Sequence, residues 1–277
     1  FEALWVARNV LYLPIAAAGA AEELGIELDG TLLDGTTSPL DRLGLWELLN
    51  LTNDATLALW ESLWQAAPKE DVRRAIHNHS LLALGYQDYM RRLSAKYGDP
   101  LPAGVVLVAA TAHYSWEKIV RALGIGANQL VYVPVDERYR MDPDALWETV
   151  RGLSERRVPI LACVSVCGTT EESAVDRLDQ VLEVRRRAER ELGVTFHIHS
   201  DAAYGGYAAA VTRKADGTRR TAAEIRASTG LDWPTEAWVR SVEALAEVDS
   251  VTIDPHKLGY VPYPSGAILI RDRRARE

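Results

Sequence analysis

The sequence contains only two cysteines, two methionines and two phenylalanines in 277 residues. Cys163 and Cys167 lie close together in an apolar run, which argues against a disulfide framework and favours a reducing, cytoplasmic compartment. We expect both to be core residues. The apolar stretches look too short and too interrupted to span a bilayer, and the start shows no secretory signal pattern. We therefore expect neither a membrane span nor a signal peptide.

The chain is also short of positive charge, with 31 basic against 39 acidic residues and a formal net charge of -8. A net negative surface attracts neither nucleic acid nor an anionic membrane, so neither is expected as the main partner. A local basic pocket for a phosphate remains compatible with this charge. With 48% hydrophobic and 25% charged residues, the composition is that of an ordinary globular protein with a substantial core.

The two ends of the sequence look internal to a longer protein. It begins at Phe1, without methionine, inside the helix-like segment FEALWVARNVLYLP, and it stops at RDRRARE directly after an apolar segment. We therefore expect a fragment of a larger chain.

Short apolar segments alternate with helical ones in the second part of the chain, which predicts an α/β fold with a mostly parallel sheet and helices on both faces. The predicted strands are 105–110, 130–135, 158–166, 194–198, 250–253 and 267–270, and the predicted helices between them are 115–123, 142–153 and 176–192. The first hundred residues show helical spacing at 40–50, 54–66 and 69–97 and no convincing strand. We expect residues 1–100 to form a helical layer or insertion, residues 101–277 to form the α/β part, and the polar stretch 212–238 to be a loop.

Four polar clusters follow predicted strands: residues 112–115, 168–171, 199–206 and 254–257. In open α/β sheets, ligands bind beyond the carboxyl ends of the strands, so these clusters are expected to converge. The third cluster is rich in small residues, which allow close approach of the backbone to a ligand.

Lys257 follows a strand and a Pro-His pair. Alone, such a lysine is more often simply solvated. Pyridoxal chemistry, however, needs a lysine amine and a carboxylate that keeps the pyridine nitrogen protonated, and Asp201 suits the second role. His113 could cover one face of the ring and Ala203 could pack against the other. Together these residues indicate a site for pyridoxal 5'-phosphate.

The motifs DPHKLGYVPY, HSDAAYGGY, GTTEESAVD and TAHYSW occur in this order. They resemble those of the group II pyridoxal-dependent decarboxylases, of the aspartate-aminotransferase fold type, and most closely the bacterial tyrosine decarboxylase branch. FEALWVARN, LWELLN and VPVDERYRMD extend the resemblance over nearly the whole chain. It implies a large domain with a mostly parallel seven-stranded sheet. The family's glycine-rich phosphate loop and small C-terminal domain are absent from this sequence.

The resemblance also implies a role for individual residues. Lys257 would bind the cofactor covalently, and His113 would stack on its ring and orient the substrate carboxylate. Asp201 would pair with the ring nitrogen. The remaining roles concern the cofactor phosphate and substrate side (His256), a contact with the cofactor (Thr170), packing against the ring (Ala203), a partner for the lysine amine (Asp176) and a proton donor (Tyr263).

The resemblance implies decarboxylation of an L-amino acid, tyrosine or another aromatic being favoured and a branched aliphatic such as valine being compatible, in a homodimer with the active site at the subunit interface. Transamination and aldol cleavage use the same electron sink and stay open, as does a non-enzymatic dimeric relative. A further alternative is a metal-dependent hydrolase, because His197, His199 and Asp201 alternate along a strand and share one face. A hydrogen-bonded pair of histidines near the sheet is the preferred interpretation, and no metal is expected.

Overall fold

The computed structural model of the protein describes residues 1–98 and 102–276, and within them the chain forms ten α-helices and eight β-strands. The helices are α1 (Glu2–Leu24), α2 (Leu45–Leu48), α3 (Asn53–Ala66), α4 (Lys69–His79), α5 (Leu81–Tyr97), α6 (Ser115–Ala122), α7 (Pro143–Glu155), α8 (Leu178–Leu192), α9 (Ala222–Thr229) and α10 (Glu236–Glu243). The strands are β1 (Asp29–Thr31), β2 (Thr37–Pro39), β3 (Val105–Ala109), β4 (Leu130–Val133), β5 (Ile160–Val166), β6 (His197–Asp201), β7 (Ser250–Ile253) and β8 (Ala267–Ile270).

The main sheet has the strand order β4-β3-β5-β6-β7-β8. Neighbouring strands run parallel except for β8, which pairs antiparallel with β7. The predicted α/β fold with a mostly parallel sheet is therefore confirmed. Six strands form this sheet in the part of the chain that the structure describes, where seven were expected.

Side chains of β3 alternate between the two faces of the sheet, as the period of two in a strand requires. Val106 and Val108 pack against a core shared with α1, α3, α4 and α5, while Leu107 and Ala109 pack against a second core under α7 and α8. Helices thus cover both faces, as predicted. The free thiol of Cys163 is buried in the second core, where burial raises its pKa, so it behaves as an apolar core residue.

Residues 1–98 contain the five helices α1 to α5, but the expectation that this part of the chain has no strand was wrong. β1 and β2 form a small antiparallel hairpin in which Gly30 pairs with Ser38. Each strand has three residues, too few for an alternating pattern to show in the sequence. The predicted boundary at residues 100 and 101 lies outside the described residues.

The helix α1 corrects the expectation that every apolar stretch is too short for a membrane. Its 23 residues are long and apolar enough to span a bilayer by length and composition, with a mean hydropathy of 1.3 over an 18-residue window. Within the protein, 72% of that window is buried, against α4, α3 and the strand β5. The small side chains of residues 16–21 permit this close packing.

The polar stretch 212–238 contains two helices, α9 and part of α10, so its prediction as a loop was wrong. Thr221 and Glu224 form a reciprocal capping box at the start of α9, and Gly230 ends that helix in a left-handed conformation. Thr235 caps α10 through its hydroxyl. The residues that suggested a loop are the boundaries of two short helices.

The strand β6 also differs from its predicted position, by three residues. The apolar run 194–198 marked the strand, but pairing with β5 begins at His197 and continues to Asp201. Polar side chains are tolerated here because β6 lies in the middle of the sheet and its neighbours supply hydrogen-bond partners. The other predicted strands of this sheet and the helices 115–123, 142–153 and 176–192 agree with the structure to within two residues at each end.

Candidate active site

Three strands of the main sheet end at the same level on one side of the molecule. Val166 of β5 pairs with Asp201 of β6, and Asp201 pairs with Thr252 of β7. The loops that follow these strands therefore start side by side, which brings the predicted polar clusters together. They enclose an open cleft with a volume of about 230 Å³.

The predicted convergence of residues distant in sequence is confirmed. The side chains predicted for the site that line this cleft are His113, Thr170, Asp201, Ala203 and Lys257. Other residues around it are Phe1, Ala3, Thr111, Ser115, Trp116, Ile119, Val166, Gly168, Thr169, His199, Tyr204, Thr252 and Asp254. Lys257 and Asp201 therefore face one cavity, which brings an amine and a carboxylate to the same cleft.

Lys257 lies on a turn directly after β7. Its Nζ is 3.0 Å from Oδ2 of Asp254, and its backbone N–H donates to the Asp254 carbonyl oxygen at 3.0 Å. The turn places both side chains on the cleft, with the lysine 38% and the aspartate 17% exposed. The amine is thus held at the mouth of the cleft while remaining accessible to a ligand.

Asp176, predicted to pair with the lysine amine, has a different position. Its carboxylate is buried and accepts backbone N–H bonds from Met141 at 2.7 Å and from Val166 at 2.6 Å. Burial raises the pKa of this carboxyl to about 6, although the two backbone donors act in the opposite direction. Asp176 joins two chain segments below the cleft, and Asp254 occupies the role of amine partner. In this structure the Asp176 carboxylate contacts these backbone groups and not the Lys257 amine.

Asp201 is the last residue of β6, and its carboxylate is held by two donors. The indole Nε1–H of Trp116 donates to Oδ2 at 3.1 Å, and the backbone N–H of Ala203 donates to Oδ1 at 3.4 Å. Trp116 is buried at the start of α6, with its ring centroid 5.6 Å from that of His199. Sequence reasoning assigned no role to Trp116. The signal available was a donor-bearing aromatic residue within the quoted motif TAHYSW.

His113 lies in the loop between β3 and α6, partly buried beside the cleft. Its Nδ1 accepts from the backbone N–H of Ser115 at 3.3 Å and lies 2.9 Å from the Ser115 hydroxyl. The ring of Tyr114 packs against it at a centroid distance of 4.2 Å. The imidazole plane is therefore fixed by its own loop before any ligand enters.

His256 and Tyr263 are not among the side chains that line the cleft. His256 is exposed, with Nδ1 2.5 Å from the carbonyl oxygen of Ser265, and Tyr263 is 73% exposed. His256 precedes Lys257 on the turn after β7, and Tyr263 lies in the segment that leads to β8. The predicted roles of these two residues are not supported by their positions in this chain.

The glycines after Asp201 allow segments of the backbone to pack closely together, in addition to leaving access for a ligand. A Cβ at Gly205 would lie 2.3 Å from the carbonyl oxygen of Cys167, and a Cβ at Gly206 would lie 2.8 Å from the side chain of Ile253. The backbone N–H of Gly205 donates to that same oxygen at 2.9 Å. Gly205 therefore locks the loop after β6 to the loop after β5.

We expect Gly205→Ala to lower the free energy of unfolding by about 1–3 kcal/mol, because the new methyl group meets backbone atoms that cannot rotate away. Urea titration followed by circular dichroism measures this change. Gly152→Ala is the matched control: it lies inside α7 with no atom within 4 Å of the added methyl group, and it should stabilise by roughly 0.5–1 kcal/mol. Equal stability of the two variants would contradict the packing role.

His197 and His199 form the hydrogen-bonded pair preferred in the sequence interpretation. Nε2 of His197 and Nδ1 of His199 each lie 2.8 Å from the hydroxyl oxygen of Ser250. Both rings are fully enclosed, and burial lowers the pKa of each, that of His199 to about 4. Across residues 1–98 and 102–276, no group of three or more His, Cys, Asp or Glu side chains has an arrangement suited to a metal ion. The ring nitrogens that the hydrolase alternative required as ligands are instead engaged by Asn53, Ser250 and Thr252.

Comparison with known proteins agrees with this geometry. Residues 82–276 match the family model described as the pyridoxal-dependent decarboxylase conserved domain. The chain belongs to the pyridoxal-dependent decarboxylase family. Within this family, it is 34% identical to L-tyrosine decarboxylase of Levilactobacillus brevis and 35% identical to that of Enterococcus faecalis, in both cases over the whole chain and 40% of the relative. The chain thus spans about two fifths of the length of these relatives.

Solved structures also match part of the chain. Mouse CSAD in its apo form aligns with 67% of the chain and 31% of its own length, with 26% identity and a TM-score of 0.47. Oryza sativa TDC with PLP and tryptamine aligns with 67% of the chain and 32% of its own length, with 22% identity and a TM-score of 0.48.

Proposed function

We propose that the protein decarboxylates an L-amino acid to the amine and carbon dioxide with pyridoxal 5'-phosphate, and that tyrosine or another aromatic amino acid is the substrate. One observation carries the proposal: Lys257 and Asp201, 56 positions apart in the sequence, line one cleft in a chain whose family is named for this cofactor. The proposal for the substrate rests on the names of the relatives.

The donor set of the cleft fits the cofactor. An accessible amine at Lys257 suits covalent capture of an aldehyde, and the carboxylate of Asp201 suits a protonated ring nitrogen. His113 and Ala203 line the same cavity and could hold the two faces of a planar ring. Thr170 offers a hydroxyl at its rim. When bound, the cofactor supplies an electron sink for the charge that remains on Cα after carbon dioxide leaves.

The amino end of α1 offers a place for the phosphate group. Phe1 and Ala3 line the cleft, so the first turn of this 23-residue helix faces it. Free backbone N–H groups and the helix dipole favour an anion at such an end. This end also corresponds to the position at which the resemblance places the glycine-rich phosphate loop before the helix.

The residues of the chain divide the remaining work. Trp116 holds the Asp201 carboxylate in a partly enclosed environment, where its attraction for a cation is stronger than in water. Asp254 holds the Lys257 amine at the cleft through an ion pair, which a ligand that binds the amine would displace. The fixed ring of His113 leaves Nε2 free to meet a substrate carboxylate, since Nδ1 is occupied by its own loop.

The test is a screen of the complete protein with pyridoxal 5'-phosphate and single amino acids. Incubation with L-tyrosine, L-phenylalanine, L-valine or L-aspartate is followed by detection of amine and of carbon dioxide. Amine with stoichiometric carbon dioxide from an aromatic amino acid supports the proposal. Release of amine from valine alone would contradict the proposed aromatic substrate. Formation of a keto acid without carbon dioxide would show transamination and contradict decarboxylation.

We also propose that the protein is a homodimer. In the segment from the turn of Lys257 to β8, large side chains face solvent: Tyr260 is 84%, Tyr263 is 73% and Leu269 is 57% exposed. A partner subunit covering them would remove a large apolar area from water. Sedimentation velocity of the complete protein over a concentration series should give a dimer, and Tyr260→Glu should weaken it. A fully active monomer would contradict the proposal.

A further inference from the structure

A continuous row of hydrogen-bonding side chains runs along β6 and β7 of the main sheet. It leads from a cavity at the amino ends of these strands to the cleft at their carboxyl ends. Its members are Asn53 of α3, His197 and His199 of β6, and Ser250 and Thr252 of β7. The successive heavy-atom distances are 3.3 Å (Asn53 Nδ2 to His197 Nδ1), 2.8 Å (His197 Nε2 to Ser250 Oγ), 2.8 Å (Ser250 Oγ to His199 Nδ1) and 3.2 Å (His199 Nε2 to Thr252 Oγ1).

The two ends of this row lie in different cavities. Asn53 and His197 line a small cavity with Asp249 and Arg271, whereas His199 and Thr252 line the cleft that holds Lys257. The three middle members are buried: His197 is 5%, His199 is 2% and Ser250 is 1% exposed. Water therefore does not compete with these bonds, and each buried group depends on its neighbours for hydrogen bonding.

The direction of the row follows from its first member. The Asn53 side chain presents its amide nitrogen, Nδ2, to Nδ1 of His197 at 3.3 Å, and an amide NH₂ group can only donate. Nδ1 of His197 must then accept. A neutral imidazole carries one N–H, so the proton of His197 is on Nε2 and is donated to Ser250.

The single N–H of a neutral imidazole also determines the direction of the hydrogen bonds from Ser250 to Thr252. The Ser250 oxygen accepts from His197, so its single hydroxyl proton is free to be donated to Nδ1 of His199. His199 then carries its proton on Nε2 and donates it to the oxygen of Thr252. Both rings are neutral because burial lowers the pKa of each histidine. The hydroxyl proton of Thr252 has no acceptor among the described side chains and is available to the cleft.

We propose that Asn53, His197 and Ser250 are positioning residues that hold His199 as its Nε2–H tautomer and thereby turn the hydroxyl proton of Thr252 toward an oxygen or nitrogen acceptor of a ligand in the cleft. Thr252 is the neighbour of Asp201 in the register of the sheet, so the donor lies beside the carboxylate assigned to the cofactor ring. The tautomer part stands independently of the proposed function, whereas the contact with a ligand rests on it.

The tautomers are measured directly by NMR. The chain contains only six histidines, so long-range ¹H–¹⁵N spectra of a ¹⁵N-histidine-labelled sample distinguish protonated from bare ring nitrogens, with assignment by His197→Gln and His199→Gln. In the wild type, both buried rings should carry the proton on Nε2. A proton on Nδ1 of either ring overturns the proposal.

Ser250→Ala removes the link between the rings, and His199 should then lose its single tautomer. Ser200→Ala is the matched control. It removes a hydroxyl from a serine of β6 that is 0% exposed and has no hydrogen-bond partner in the described chain, so the spectrum should stay unchanged. Asn53→Leu gives a second test if Ser250→Ala does not fold, because His197 should lose its preference for Nε2–H. Unchanged tautomers in a folded Ser250→Ala or Asn53→Leu variant overturn the proposal.

The ligand contact has a separate readout, the affinity of the complete protein for pyridoxal 5'-phosphate. Thr252→Val keeps the shape of the side chain and removes the donor, so it should weaken binding about three- to tenfold, as expected for one hydrogen bond. It should leave both tautomers unchanged, since His199 still accepts from Ser250. Unchanged affinity overturns the ligand contact. Absence of cofactor binding in the wild type overturns the proposed function and the contact that rests on it, but not the tautomers.

Discussion

Lys257→Ala of the complete protein should abolish decarboxylation and the visible absorption that follows from covalent attachment of pyridoxal 5'-phosphate. Among the described residues that line the cleft, Lys257 is the one lysine, and alanine cannot form the covalent link. The fold should remain, because a half-exposed ion pair such as Lys257 with Asp254 contributes at most about 1 kcal/mol. Absorption spectra, carbon dioxide release and circular dichroism measure the three properties.

Lys214→Ala provides the control for this variant. Lys214 is also exposed and also pairs with a carboxylate, that of Glu224 at 2.9 Å, but it lies outside the cleft. Its replacement should leave the absorption and the rate as in the wild type. A Lys257→Ala variant that still decarboxylates at the wild-type rate would remove the basis of the proposed function.

Asp201→Asn should lower kcat by about 10²- to 10³-fold and leave KM nearly unchanged. An amide can still accept from Trp116, so the geometry is kept, but it has no charge to stabilise a protonated ring nitrogen. The magnitude is that of removing one electrostatic group that acts mainly in the transition state. Steady-state kinetics of carbon dioxide release separate kcat from KM.

Trp116→Phe completes this comparison. It keeps an aromatic ring at this position, although a smaller one, and removes the Nε1–H that the Asp201 carboxylate accepts. The loss of one hydrogen bond to a charged group costs about 1.5–3 kcal/mol, so a decrease in rate of roughly 10- to 100-fold is expected. If Asp201→Asn instead raised KM at constant kcat, the carboxylate would be a group that binds substrate and not one that supports the reaction.

Much of the fold and the main members of the site could be predicted from the sequence because both depend on local signals. Apolar runs located β7 and β8 without error, and polar residues directly after strands located the cleft. Lys257 and Asp201 were found because each follows or ends a strand whose carboxyl end faces the same side. A parallel sheet turns such local positions into spatial proximity.

The rest depended on contacts that a sequence does not display. The choice between Asp176 and Asp254 as the partner of Lys257 is decided by a turn of four residues, and the role of Trp116 depends on a hydrogen bond across 85 positions. β6 was misplaced because its polar residues are stabilised by neighbouring strands and not by their own apolarity. The helices of 212–238 were missed because the stretch is polar and because Gly230 and Pro234, residue types typical of loops, here lie at the end of α9 and just before α10.

The order of the strands in the main sheet has a consequence for how the cleft is built during synthesis. The residues that line it come from segments that start near residue 1 and end near residue 257, and β7 adds the last of them by pairing with β6. Parallel pairings between distant segments form slowly, since a long loop must close before any contact is gained. The cleft is therefore complete only after Lys257 has been synthesised, because the segments that line it extend from Phe1 to that residue.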